Sequence, residues 1–277
     1  MSNKTIISGY YNNIDDLDNI SKYIYRISKN MTSANHIWID HINDDIYKTI
    51  DKIRRSNDLY KPVKDKFPNY RIKNVTEVDE IYYSASPKEA QNSDRSLVDC
   101  HYDGPFAIIP NSNIIFYRII VACNPNKDVS TTFPNNNIEV VMNKGDFHGL
   151  DYNKDLHCVE GSIPKKHYRV LLKLHYILIP NNYNDNTLSE RFITYINVSW
   201  TKNSREFMRM SANPKNIFEV IIGNIVNISR YIFNNIYTFI FIIIFIIIII
   251  LLYKNYNLLN NSINIFLKKK KLKIKKN

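Results

Sequence analysis

Three residues with metal-binding side chains stand out by their types and spacing. One residue separates His101 from Asp103, so on a β-strand both side chains would lie on the same face. His157 follows on a later predicted strand. Two imidazoles and one carboxylate on one side of a metal leave coordination positions open, which suits a non-heme iron(II) centre that binds a bidentate ligand and O₂. The sequence therefore predicts an iron site formed by these three residues.

Two further residues could hold an anionic ligand beside that metal. Arg169 opens the strand predicted after His157, and its guanidinium can bind a carboxylate through two parallel hydrogen bonds. Tyr117 could donate a hydrogen bond from a neighbouring strand, although an aromatic residue at such a position is more often part of a core. His148 is an alternative third metal ligand, but the glycine beside it indicates a loop, so we favour His157.

The elements that must position these side chains change in type along the chain. Residues 14–60 carry apolar side chains at helical spacing, which predicts helices. From about residue 79, short β-like runs are separated by turn residues such as Asp103-Gly104-Pro105. Many short strands without intervening helices favour a sandwich or a jelly roll.

An apolar segment near the C-terminus predicts a single membrane span. Residues 239–252 are fourteen consecutive apolar residues, and their flanks extend the segment toward the roughly 30 Å of hydrocarbon in a bilayer. Eight lysines and no acidic residue follow, which leaves +3 of the formal net charge of +11 for the rest of the chain. We therefore expect the tail to meet anionic membrane lipid, and a nucleic-acid partner is disfavoured.

The orientation of this span is left open by two conflicting signals. The lysine-rich tail favours the cytosolic side, whereas the lack of an apolar leader after Met1 favours a cytosolic N-terminal domain. If the tail is cytosolic, Lys273–Asn277 matches an endoplasmic-reticulum retrieval signal. We therefore expect a single-pass membrane protein that is located in the endoplasmic reticulum or in a viral membrane.

The cysteines predict no disulfide framework, because there are only three of them, Cys100, Cys123 and Cys158. This small, odd number favours a reducing compartment for the folded part. Cys100 and Cys158 adjoin predicted ligands and would point to the opposite face of their strands, so we assign them to packing. His175 is predicted to support the metal ligands or to have a structural role, and is not predicted to be a ligand.

The segments around the predicted ligands resemble the 2-oxoglutarate/Fe(II)-dependent oxygenase superfamily, and in particular its uncharacterised algal and large-DNA-virus members. The resemblance covers about residues 80–180 and is carried by His-Tyr-Asp-Gly-Pro-Phe from residue 101, Leu-Asp-Tyr-Asn-Lys-Asp-Leu-His ending at 157, and Arg-Val-Leu-Leu-Lys-Leu-His-Tyr from 169. The family pattern maps onto His101, Asp103 and His157 as iron ligands and onto Arg169 for 2-oxoglutarate. The gap between His157 and Arg169 is slightly longer than is usual in the family.

The resemblance implies a double-stranded β-helix, Fe(II), and 2-oxoglutarate as co-substrate, with ascorbate as a further candidate reductant. The predicted fold class is therefore α+β: a double-stranded β-helix (jelly roll) with N-terminal helices and one C-terminal transmembrane helix. The predicted division is an N-terminal helical region at 1–78, an oxygenase domain at 79–200, a juxtamembrane and partly amphipathic helix at 201–230, a transmembrane helix at 231–253 and a lysine-rich tail at 254–277.

The expected function is that of a membrane-anchored dioxygenase, in particular a hydroxylase that converts 2-oxoglutarate to succinate. Its substrate would be a protein side chain or a small molecule. The alternative is a non-catalytic, membrane-anchored structural or interaction protein, for example a viral one, that keeps a jelly roll without turnover. The complete set of ligands together with Arg169 favours the enzyme.

Overall fold

The computed structural model describes residues 5–28, 35–85, 100–105, 113–161, 168–184, 187–212, 215–222 and 224. The described residues up to Glu206 belong to one compact unit, and those from Phe207 onward belong to a second. Within these ranges, no helix is long and apolar enough to cross a membrane. The predicted transmembrane helix at 231–253 and the lysine-rich tail at 254–277 lie outside the described residues.

The N-terminal region combines three helices with two short strands. The strands are β1 (Ile7–Tyr10) and β2 (Asn35–Trp38), and the helices are α1 (Ile14–Ile27), α2 (Asp44–Arg54) and α3 (Asn57–Lys66). Part of the region 14–60, which the sequence predicts as helical, is therefore a strand, since Ile37 lies on β2. Helix α2 begins only after Asn43, whose side chain accepts a hydrogen bond from the backbone N–H of Ile46 and caps the helix.

Two antiparallel sheets make up the rest of this unit. The remaining strands are β3 (Tyr70–Asn74), β4 (Glu80–Ala85), β5 (Ile115–Ala122), β6 (Asn126–Phe133), β7 (Ile138–Met142), β8 (Asp146–Asp151), β9 (Cys158–Gly161) and β10 (Tyr168–Pro180). The large sheet has the order β1-β8-β5-β10-β4-β2, with β3 also paired to β10, and the small sheet has the order β7-β6-β9. An isolated antiparallel pair, His101 with His157, lies at the start of β9.

From β4 onward the chain alternates between the two sheets. Strands β4, β5, β8 and β10 belong to the large sheet, whereas β6, β7 and β9 belong to the small one. The segment at His101 pairs on the side of the small sheet. This alternation is typical of a jelly roll. The predicted mixture of helices and antiparallel strands is confirmed.

Strand β10 shows how one sheet serves both the core and the site. Val170, Leu172 and Leu174 pack in the cluster that contains the buried residues of the N-terminal helices. Leu171 belongs to a second cluster with Phe133 of the small sheet. Because side chains alternate along a strand, Arg169, Leu171, Lys173 and His175 share the face of β10 that looks into the space between the sheets. We call this the inner face of the large sheet.

The last element of the first unit, α4 (Leu188–Ala212), follows β10 and continues past the end of that unit. Ile193 of this helix is buried with Ile177 and Ile179 of β10. Each buried aliphatic side chain of this kind contributes about 1.5–3 kcal/mol to folding. The sequence predicts a helix only from residue 201, whereas the observed helix begins at Leu188.

Candidate metal centre

The structure brings the three predicted metal ligands together. His101 and His157 face each other on paired segments, because each backbone N–H donates to the carbonyl of the other, at 2.9 and 3.1 Å. Directly opposed residues place their side chains on the same face, and the two imidazole centroids are 4.5 Å apart. Asp103 is two residues beyond His101, and its carboxylate oxygens lie 3.7 Å from Nε2 of either histidine. One ligand atom from each residue lies within 4.8 Å of the others, so a single ion can contact all three.

The protonation states of Asp103 and His157 suit a metal. Burial alone would raise the pKa of Asp103, but the charge of Arg118 and the neighbouring imidazoles hold that pKa well below its usual range. The carboxylate is therefore ionised. Burial lowers the pKa of His157, and its Nδ1 lies 3.1 Å from the carbonyl oxygen of Asp155. A proton on Nδ1 can be donated to that carbonyl, which leaves the Nε2 lone pair directed toward Asp103.

Arg118 of β5 anchors Asp103 and is itself held by a buried chain of polar side chains. Its Nη1 donates to Oδ2 of Asp103 at 2.5 Å, and its Nε donates to Nε2 of His175 at 2.9 Å. Nδ1 of His175 lies 3.0 Å from Oδ1 of Asp79, whose other oxygen accepts from Nε and Nη2 of Arg54 at 3.0 and 2.6 Å. Burial lowers the pKa of His175, so its neutral ring can donate to Asp79 and accept from Arg118. This chain fixes the carboxylate of Asp103.

A second buried group of charges surrounds Glu80 of β4. Its carboxylate accepts from Nζ of Lys173 at 3.2 Å and from Nη2 of Arg205 at 3.1 Å, and it lies 2.9 Å from Nδ1 of His36. Nη2 of Arg118 is 3.8 Å away. Burial lowers the pKa of Lys173 to about 7, and the charges of Arg205 and Arg118 act in the same direction, although Glu80 opposes them.

The charge at the centre of this region would become positive if a metal ion were bound. Among the described residues, Arg118 and Arg205 face the carboxylates of Asp103 and Glu80, and Lys173, with its pKa lowered to about 7, is only partly charged near neutral pH. A divalent metal ion would add two further positive charges. Because an unbalanced buried charge is costly, an anionic ligand would stabilise this arrangement.

Arg169 and Tyr117, the two residues predicted to hold an anionic ligand, have different positions. Arg169 lies on the inner face of β10, is 7% exposed, and has its guanidinium carbon 5.7 Å from the ring centre of Tyr82. Tyr117 lies on the opposite face of β5, where its hydroxyl donates to the carbonyl of Thr5 at 2.9 Å. The structure therefore does not bring Tyr117 to the metal centre. The neighbouring residue, Arg118, is the side chain of β5 that reaches it.

His148 lies on a strand and not in the predicted loop. It is part of β8 and its side chain is completely buried. Packing explains why the adjacent residue, Gly149, is a glycine, because a Cβ atom there would come within 2.6 Å of the Tyr117 ring. The glycine therefore marks a close approach between neighbouring strands, and reading it as a turn signal was wrong.

The cysteines also differ from the prediction, because Cys100 and Cys158 form a disulfide and Cys123 is buried and free. As predicted, the two bonded cysteines adjoin metal ligands and alternate with them along their strands. The pairing of His101 with His157 places Cys100 directly opposite Cys158, at a Cα–Cα distance of 4.1 Å. Side chains of such a pair are close enough to bond, which the count of cysteines could not reveal.

Helix α4 contributes to the site at the backbone of Asp103. The indole N–H of Trp200 donates to the carbonyl of Asp103 at 3.1 Å, and the ring is 42% exposed. The next residue is Thr201, and its hydroxyl lies 2.7 Å from the hydroxyl of Tyr152. The centre of the Tyr152 ring lies 4.4 Å from the guanidinium carbon of Arg118. Trp200 therefore marks an edge where the metal centre meets solvent.

Comparison with known proteins gives structural alignments only. No protein-family model and no curated protein sequence matches this chain. The viral collagen prolyl hydroxylase of Paramecium Bursaria Chlorella virus-1, solved as a 2OG complex, is 13% identical; the alignment covers 64% of this chain and 97% of that one with a TM-score of 0.44. A prolyl 4-hydroxylase of Phytophthora capsici is 13% identical over 83% of this chain and 80% of that one, with a TM-score of 0.43.

A third aligned structure is HygX of Streptomyces hygroscopicus, solved with nickel and 2-oxoglutarate bound. It is 10% identical, the alignment covers 65% of this chain and 83% of that one, and the TM-score is 0.43. Similarities at this level do not by themselves assign a function. The assignment therefore depends on the geometry of the metal centre.

Proposed function

We propose that this protein is an Fe(II)- and 2-oxoglutarate-dependent dioxygenase that hydroxylates its substrate. The observation that carries the proposal is the convergence of His101, Asp103 and His157, whose ligand atoms lie within 4.8 Å of one another. Two imidazoles and an ionised carboxylate are a ligand set that suits iron(II) and leaves positions open. The jelly-roll alternation of the strands supports the same assignment.

The residues of this chain would have separate roles in the reaction. His101, Asp103 and His157 would hold the iron, and Arg118 keeps the carboxylate of Asp103 oriented and ionised. Arg169, on the inner face, would bind the far carboxylate of 2-oxoglutarate. With iron, 2-oxoglutarate and O₂ bound, the centre would oxidise a substrate C–H bond, with one oxygen atom entering the alcohol and the other entering succinate as carbon dioxide is released.

The positive charge that a bound metal would add beside these buried basic groups supports a dianionic co-substrate. One carboxylate of 2-oxoglutarate would lie at the metal, and the other would lie among the basic groups of the inner face. The carboxylate of Asp103 also favours hydroxylation over halogenation, because a halide would need the coordination position that this side chain fills. The substrate we propose is a protein side chain or a small molecule.

We further propose that residues 231–253 anchor the protein in a membrane, with the metal centre on the side opposite the tail. Disulfides persist in oxidising compartments, and Cys100 is bonded to Cys158. A lysine-rich tail favours the cytosol. A lumenal catalytic domain and a cytosolic tail satisfy both preferences. Digestion of intact microsomes with protease should remove the tail and spare the domain, whereas loss of the domain would contradict this orientation.

The test of the enzymatic function uses the full-length chain in detergent micelles. We expect iron-dependent conversion of 2-oxoglutarate to succinate, which His101→Ala should abolish together with most of the metal affinity. His41→Ala is the matched control, because this histidine is 68% exposed and should leave both properties unchanged. Metal binding without turnover across varied substrates would favour the non-catalytic alternative. Failure to bind iron(II) or manganese(II) would reject the proposal.

A further inference from the structure

His148 is a buried histidine whose ring has an unused nitrogen. It is completely buried on β8, and its Nδ1 lies 3.2 Å from the sulfur of Met142. Its Nε2 has no hydrogen-bond partner among the described residues. A buried polar atom without a partner opposes folding, so one that persists calls for an explanation such as a ligand.

The position of His148 on the inner face places it close to the metal ligands. It is paired with Ile120 of β5, which is paired in turn with Lys173 of β10, so the three form one row across the inner face. The ring of Phe133 lies 5.8 Å from the ring of His148 and 6.0 Å from that of His157. His148 therefore lies beside the metal centre.

The electrostatic environment of His148 gives the same location. Burial lowers its pKa to about 3, and the charges of His157 and Arg169 lower it further while that of Asp103 opposes them. The ring is thus within range of two metal ligands and also of Arg169. The space between the metal ligands and Arg169 is where the proposed function puts 2-oxoglutarate.

The contact with Met142 determines which nitrogen carries the proton. A thioether sulfur can accept a hydrogen bond but cannot donate one. The contact is therefore a hydrogen bond only when Nδ1 of His148 is protonated, and the neutral ring then has a bare lone pair at Nε2. A carboxylate ligand would require a proton at Nε2. Moving the proton between the two nitrogens gives up only a weak bond to sulfur.

We propose that Nε2 of His148 donates a hydrogen bond to an oxygen of bound 2-oxoglutarate. This inference rests on the proposed function. It adds a direct contact to the co-substrate from β8, which lies in the same sheet as the strand that carries Arg169, with β5 between the two. The ring stays neutral throughout, since the proton at Nδ1 is replaced by one at Nε2. Binding of 2-oxoglutarate should therefore change the tautomer of this histidine.

The test uses the full-length protein in micelles, loaded with diamagnetic Zn(II) in place of iron. Zn(II) affinity is measured first, and 2-oxoglutarate is then titrated by calorimetry. His148→Gln is the matched variant, because its amide nitrogen can reach the position of Nε2, whereas the amide of His148→Asn reaches only that of Nδ1. We expect the Gln variant to bind 2-oxoglutarate nearly as tightly as the wild type. We expect the Asn variant to bind it at least about tenfold more weakly, as for a lost hydrogen bond to a charged group.

A spectroscopic measurement on the wild type makes the test independent of how the variants fold. In protein labelled with ¹⁵N-histidine, Nε2 of His148 should change from a bare to a protonated nitrogen when 2-oxoglutarate is added. Unchanged nitrogen shifts, or equal affinities for the wild type and the Asn variant, would overturn the role of His148 alone. If the Zn(II)-loaded wild type does not bind 2-oxoglutarate at all, the proposed function fails and this inference fails with it.

Discussion

The disulfide between Cys100 and Cys158 should be a large contributor to the stability of the metal centre. It closes a loop with a sequence separation of 58 residues. In the chain-entropy treatment, a loop of this length lowers the entropy of the unfolded chain enough to stabilise the fold by about 4 kcal/mol. That is a large share of the roughly 5–15 kcal/mol that separates folded from unfolded domains. The double variant Cys100→Ala/Cys158→Ala should therefore lose about this much free energy of unfolding.

The same crosslink joins the two segments that carry His101 and His157, so its loss should also weaken metal binding. The assay is denaturant unfolding monitored by fluorescence, with and without a dithiol reductant, followed by titration with Mn(II). Cys123→Ala is the matched control, because this cysteine is buried and unpaired and its variant should still respond to reductant. If reduction changes the free energy of unfolding of the wild type by less than about 1 kcal/mol, the entropic reasoning is refuted.

Three further predictions concern side chains of the inner and outer faces. Arg118→Met should lower Mn(II) affinity about ten- to a hundredfold, because Asp103 loses the group that orients it; an unchanged affinity in metal titrations would show that the carboxylate needs no such support. Lys173 has a pKa lowered from 10.5 to about 7, so between these values the unfolded chain binds more protons than the folded one. Stability of the metal-free protein should therefore rise with pH from about 7 toward 10, and Lys173→Met should flatten this slope in denaturation experiments; an equally steep slope in the variant would assign it to other groups. Tyr117→Phe should cost only about 1 kcal/mol of stability for the lost bond to Thr5. Its Mn(II) and 2-oxoglutarate affinities should match those of the wild type. A large loss of 2-oxoglutarate affinity would instead show that Tyr117 binds the co-substrate.

The parts of the site that could be predicted from the sequence are those fixed by local geometry. The i, i+2 spacing of His101 and Asp103 puts both on one face of an extended segment without any knowledge of the fold. The alternation of β10 similarly separates Val170 and Leu172, which pack with the buried residues of the N-terminal helices, from Arg169 and Lys173. Both patterns depend only on the two-residue period of a strand.

The features that could not be predicted depend on pairing between strands. Tyr117 and Arg118 are adjacent, and only the registers of β5 with β8 and β10 decide which of them faces the metal centre. An arginine within an otherwise apolar run was the available signal, since such a charge needs a buried partner. Cys100 and Cys158 could be paired only after His101 was known to lie opposite His157. The glycine beside His148 indicated a loop because its close neighbour, Tyr117, lies on another strand.

The N-terminal helices have a second function beyond covering the large sheet. Arg54 of α2 is 1% exposed and binds Asp79, which contacts His175, which accepts from Arg118. Each member of this chain has its hydrogen-bonding direction fixed by the next, since arginine only donates and carboxylate only accepts. The carboxylate of Asp103 is therefore connected to a helix that contributes no ligand to the metal.

This connection predicts that Arg54→Met will affect the metal centre from a distance. Removing one partner of a buried ion pair costs about 3–5 kcal/mol, and it also frees Asp79 to draw His175 away from Arg118. Arg55→Met is the matched control, because Arg55 is the next residue, is 72% exposed and, among the residues that the structure describes, pairs with Asp51. In a double-mutant cycle on Mn(II) affinity, the effects of Arg54→Met and Arg118→Met should not be additive, since both substitutions loosen the carboxylate of Asp103. Additive effects would mean that α2 stabilises the fold without positioning Asp103.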